Sequence, residues 1–197
     1  MCNHMRHFIT LIALTLTISA FSQETGRPLT KRVIVKTNLL SLVAQRPTFT
    51  IEKVFSNNFS AEVSFVQGQF NNFLFTDHYD YNGFLVRAKK YFTDLDFGRL
   101  SPYAAVYVGN LKRNIQTTGR QIGSSGWIGY PSRDFSANSV RGGGSLGLSY
   151  ISKSKIIVDG LMSLGYGTYT KVYKPDLNRN STGYLDAQVW LSIGYCF

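Results

Sequence analysis

The last fourteen residues, YLDAQVWLSIGYCF (184–197), decide how this chain is read. Leu185, Ala187, Val189, Leu191, Ile193, Tyr195 and Phe197 share one parity; Asp186, Gln188, Trp190, Ser192, Gly194 and Cys196 take the other. Successive side chains of a β-strand point to opposite faces. The segment is therefore a strand with one apolar face, and it ends on an aromatic residue.

Working outward, period two recurs at 32–43, 47–55, 58–70, 80–92, 101–113, 138–151, 155–169 and 183–197, eight segments of 9 to 15 residues. Soluble strands usually run about 5 or 6 residues. An apolar belt about 25 Å tall, crossed at a tilt near 40°, needs about 10 per strand. In lipid every backbone N–H and C=O must be paired internally, so a β-protein that crosses a bilayer must close on itself. The expected fold is all-β: an eight-stranded antiparallel up-and-down transmembrane β-barrel over 32–197, with no helix beyond Gln23. Phe59, Ala61, Val63 and Phe65 oppose Ser60, Glu62 and Ser64; Phe49, Ile51 and Phe55 oppose Thr48, Thr50 and Glu52. In 101–113 both Ala104/Val106/Val108 and Tyr103/Tyr107/Leu111 suit a lipid face, and the parity stays open. A soluble lipocalin-like barrel would show the same alternation with its faces exchanged. Strand length, the N-terminus and Phe197 favour the membrane.

Composition agrees. Charged residues make up 16% and aromatics 14% of 197 residues, against about a quarter charged in soluble domains. The net charge of +10 raises nucleic acid as a partner, but the basic residues are scattered and none is expected. MCNHMRH followed by the uncharged FITLIALTLTISAF reads as a secretory signal, too short for a spanning helix. Ala20 and Ser22 place cleavage before Gln23, giving a signal peptide at 1–22 and an N-terminal tail at 23–31. Removing Cys2 with the signal leaves Cys196 alone, so no intrachain disulfide is expected.

The terminal aromatic strand, the eight segments and the signal resemble the small outer-membrane barrels of the OmpA/OmpX type. VIVKTNLL (33–40) also resembles the K-T-N-L-L start of a family of Gram-negative outer-membrane barrels. The resemblance implies an integral outer-membrane protein, a monomer among outer-membrane lipids and lipopolysaccharide. It also implies that Leu191, Ile193, Tyr195 and Phe197 form the signal read by the barrel-assembly machinery. The chain stops at the barrel, so no cell-wall anchor is expected.

An eight-stranded barrel is just wide enough to be filled by its own side chains. Parity turns Lys36, Glu52, Glu62, Arg87, Lys89, Arg141, Asp159 and Asp186 inward, four basic and four acidic. Buried charges persist only when paired and hydrogen-bonded, so Lys36 is expected to face Glu52 across the first hairpin, and Glu62 to face Arg87 or Lys89 on the adjacent strand. Lys53 and Lys90 fall on lipid parity near strand ends, where snorkelling is expected. The outer loops carry Arg46, Lys112, Arg113, Arg120, Arg133, Lys171, Lys174 and Arg179 against Asp77, Asp80, Asp134 and Asp176, a rim at +4 suited to lipopolysaccharide phosphates. Trp127, Tyr130 and Phe135 in the loop 114–137 suit an anchor or an interface.

Three functional classes follow. The first is a plugged barrel with a structural or surface-interaction role, needing no cofactor. The second is a narrow channel or transport accessory gated by the lumen charges. The third is a lipid A-modifying enzyme. His78, flanked by Asp77 and Asp80 in TDHYDY, is the one histidine after the signal. It lacks an H-x-S partner, and metals need three or four convergent ligands, so neither catalytic nor metal-binding residues are assigned. The Gly142–Gly144 run lies in a strand with no helix following, which is no phosphate loop; wall packing is the expected role.

Overall fold

The computed structural model describes residues 32–43, 45–73, 76–122, 128–174 and 182–197. The expected signal peptide and tail, together with Trp127, Asp176 and Arg179, lie outside them. Among the described residues eight strands form one closed antiparallel barrel in chain order. They are β1 (Val33–Asn38), β2 (Phe49–Ser56), β3 (Phe59–Phe73), β4 (Thr76–Tyr91), β5 (Leu100–Ile122), β6 (Ile128–Ile151), β7 (Ile156–Lys174) and β8 (Gly183–Cys196). The C-terminal strand closes the ring against β1, with Val35 opposite Tyr195 and Thr37 opposite Ile193.

Polarity is inverted relative to a soluble protein. Val106 is 67% exposed and Leu185 70%, and Val63, Phe84, Val108, Leu146, Met162 and Val189 also face outward. Glu52, Arg87 and Lys89 are 0% exposed. Soluble monomers rarely expose apolar patches beyond a few hundred Å², so this wall is suited to lipid, and the lipocalin-like arrangement is excluded. The open parity of β5 resolves as well: Val106 and Val108 face out, while Tyr103, Tyr107 and Leu111 are buried inside. Lys53 and Lys90 point outward close to the β2–β3 and β4–β5 turns.

Three connections differ from the sequence reading. The strand expected over 32–43 stops at Asn38, and a helical turn, α1 (Leu40–Val43), follows. Asn38 is its cap: Oδ1 accepts from the amide of Leu40 at 3.1 Å, and its carbonyl accepts from Ser41 Oγ at 2.6 Å. The same Oδ1 also accepts from the amide of Leu191 at 3.3 Å, tying the turn to β8. Asn38→Ala is expected to cost about 1 kcal/mol, the ordinary worth of such a cap, read as a lowered unfolding midpoint.

The regions near 70–80 and 114–137, expected as loops, are largely strand, since β3 and β4 pair out to Phe73 and Thr76 and β5 and β6 out to Ile122 and Ile128. At about 3.3 Å per residue and a tilt near 40°, the 23 residues of β5 rise roughly 58 Å, more than twice the belt height. β1 and β2 have only 6 and 8 residues, so the open end has a low rim on one side and a tall wall on the other. Phe135, assigned to a loop, is buried within that wall and packs edge-on against Tyr169 at 5.2 Å.

At the turn end the β4–β5 connection folds beneath the barrel, with Leu95 N bonded to Asn57 O and Gly98 N to Ile151 O. Leu95 joins Ile34, Val54, Ile151, Ile157 and Cys196 in an apolar floor, all 0% exposed. Higher up, the ring of Tyr103 lies over its cross-strand partner Gly147, whose added Cβ would meet the Tyr103 ring at 2.4 Å. Glycine there gives the tyrosine room to lie along the wall.

Candidate functional site in the barrel lumen

Period two alone carries the inward side chains to the axis, and register sets which of them meet. Glu62 on β3 lies directly opposite Arg87 on β4, whereas Lys36 on β1 faces Thr50 and reaches Glu52 diagonally, two residue pairs along. The Lys36 ammonium sits 2.6 Å from Glu52, 2.9 Å from Glu62 and 2.6 Å from Asp159. Lys89 reaches the same three carboxylates, at 3.1, 2.9 and 2.7 Å. Arg87 pairs with Glu62.

The remaining lone pairs are used as well. Glu52 Oε1 accepts from Ser60 at 2.5 Å and from the Tyr91 hydroxyl at 2.8 Å, and Asp159 accepts from Tyr103 at 2.7 Å. Three cations thus meet three anions, and β1, β2, β3, β4, β5 and β7 are joined by one polar layer. Such a layer offsets desolvation because all three carboxylates are paired and hydrogen-bonded, although Arg87 Nε and Nη2 find no hydrogen-bond partner among the described residues.

The acidic ligand atoms of Glu52, Glu62 and Asp159 lie within 4.8 Å of one another, a spacing that suits a metal. Two lysine ammonium groups already stand among them and supply the positive charge.

Above this layer, the Arg87 guanidinium stacks under Trp190 at 5.1 Å. Arg141 and Asp186 form a second, separate pair at 3.3 Å, and Asp186 also accepts from Tyr107 at 2.8 Å and Gln188 at 2.7 Å. All eight inward charges therefore lie in the interior, six in one cluster and two in another. Sequence reasoning missed the long reach of Asp159 from β7, and the tyrosines that complete the coordination. Tyr91 shares the parity of Arg87 and Lys89, which was the available signal. It also missed Arg113, assigned to the outer rim; Arg113 shares the inward parity of Tyr107 and stacks on Tyr184 at 3.6 Å.

Elsewhere on the rim, Arg46 pairs with Asp80 at 3.2 Å and Lys174 with Asp134 at 2.8 Å. His78 Nδ1 bonds Asn71 at 2.8 Å, while Asp77 accepts from the Thr118 amide at 2.6 Å. Asp77 and His78 are adjacent on β4 and face opposite ways, so the three do not share one face; Asp80, on the face of His78, is paired with Arg46.

Fold and lumen together define a small eight-stranded barrel of the OmpA/OmpX type, with paired charges in its interior. The chain belongs to the family described as "Protein of unknown function (DUF3575)", whose model matches residues 7–184. Its barrel is similar to that of Neisserial surface protein A, with a TM-score of 0.50 and 13% identity over 84% of this chain and 94% of that one. The N-terminal β-barrel domain of Pseudomonas aeruginosa OprF gives a TM-score of 0.45 and 15% identity, covering 88% and 100%. No curated protein matches the sequence.

Proposed function

We propose that the protein is an integral outer-membrane barrel with a plugged lumen, acting through its structure or its outer surface without catalysis. The observation that carries this reading is the closed polar layer of Lys36, Lys89, Arg87, Glu52, Glu62 and Asp159 resting on an apolar floor. Ions entering from the open end would have to break several buried ion pairs at once and then cross Ile34, Val54 and Leu95. The apolar outer wall supports residence in a bilayer, and the end at which β3–β4 and β5–β6 rise beyond the belt suits the extracellular side, with the β2–β3, β4–β5 and β6–β7 connections toward the periplasm. Outer-membrane lipids and lipopolysaccharide then surround a monomer, delivered by barrel-assembly machinery that reads Leu191, Ile193, Tyr195 and Phe197.

Planar-bilayer recording tests the plug. The expected trace is flat at neutral pH, and large stable channel steps would favour the channel reading instead. Membrane fractionation with gel shift on boiling tests location: recovery in the soluble periplasm would remove it.

A further inference from the structure

We infer that the open end of the barrel holds an oxyanion-binding vestibule centred on Arg141 and Arg113, taking a carboxylate or phosphate on a sugar-sized body. A cavity of about 380 Å³ lies above Trp190 and is lined by Arg141, Arg113, Asp186, Phe70, Tyr79 and Tyr184. Arg141 is 5% exposed; it gives one N–H to Asp186, while its Nε and Nη2 are enclosed with no hydrogen-bond partner among the described residues. Nε–H and Nη2–H are the side-by-side pair of a guanidinium, the fork that carboxylate and phosphate accept bidentately.

Arg113 adds a second buried Nε without a partner, its guanidinium held flat over Tyr184. Asp186 is already engaged by Tyr107, Gln188 and Arg141. Two guanidinium groups against one carboxylate leave the vestibule at +1, where the layer below is neutral. Arg87 has the same unpartnered pair, but Trp190 and Tyr107 cover it, at 5.1 and 5.9 Å. Arg141 and Arg113 line the cavity and Arg87 does not, and the aromatic wall of Phe70, Tyr79 and Tyr184 suits the face of a sugar ring. A free acidic sugar or phosphate and the headgroup of lipopolysaccharide offer this same chemistry.

The test is a titration of the full-length protein in lipopolysaccharide-free detergent with inorganic phosphate and with glucuronate, followed by the Arg141 Nε–H resonance. A parallel arm adds purified lipopolysaccharide. A saturable shift with either soluble probe assigns a free anion; a shift with lipopolysaccharide alone assigns its headgroup, and both support the inference. Arg141→Lys keeps the charge without the fork and is expected to weaken binding at least tenfold, read by calorimetry, while Arg46→Gln on the outer wall leaves it unchanged. Arg113→Lys serves where Arg141→Lys does not fold. No shift with any of the three probes, or an affinity indifferent to both lysine variants, would overturn the inference. The titration requires only the fold, so its failure leaves the bilayer and conductance results standing.

Discussion

Lys36→Met is expected to lower the unfolding free energy by about 3–5 kcal/mol, the usual cost of stranding a buried charge. Lys36 is within 3 Å of Glu52, Glu62 and Asp159, and all four are buried. Methionine fills the space of the lysine stem but leaves three buried carboxylates facing two cations, removed from the screening of bulk solvent. Removing one charge of each sign restores neutrality, so Lys36→Met combined with Asp159→Asn is expected to recover much of the loss. Urea unfolding in lipid, with gel migration of unboiled samples as the folded-state readout, measures both. A single variant within about 1 kcal/mol of the parent would mean that the layer is hydrated and weakly coupled.

The second large effect lies on the outside. Val106 is midway up the part of β5 that begins at Leu100, and faces outward. Val106→Arg is expected to cost about 2–4 kcal/mol in a bilayer, the range for a basic residue at the midplane of a barrel's lipid face. Near the interface the cost falls to about 0–1 kcal/mol, which is why Lys53 and Lys90 are tolerated beside the turns. An exchange of Phe92 for Arg, at the end of the barrel wall, is expected to fall in that lower range. Equal costs at Val106 and Phe92 would contradict the depth assigned to the belt.

What the sequence made legible was whatever the bilayer forces into a pattern. Within the belt, alternation between Leu185, Val189 or Ile193 and Asp186, Gln188 or Ser192 leaves one choice of face. Above the belt both faces meet water, and the pattern fades. NIQTTGRQI (114–122) carries no apolar face and so read as loop, although it continues β5. Tyrosine misled for another reason. Its ring is apolar and its hydroxyl polar, so Tyr103 and Tyr107 suited lipid as well as they suit the lumen, where they donate to Asp159 and Asp186. At LLSLV (39–43) the leucines continued the alternation past the point where the Asn38 side chain turns the backbone. The eight lumen charges were visible through parity alone; which strands they bridge depended on closure of the ring.

The most direct measurement is the nuclear Overhauser contact between acyl-chain methylenes and protein methyls in nanodiscs. It compares chemically equal groups on the two faces without altering a residue. Cross-peaks are expected to Leu185, Val189, Leu191 and Val106, and none to Ile34, Leu85 or Ile157, which are 0% exposed. Lipid contacts at the second set and not the first would contradict the inverted polarity on which the whole account depends.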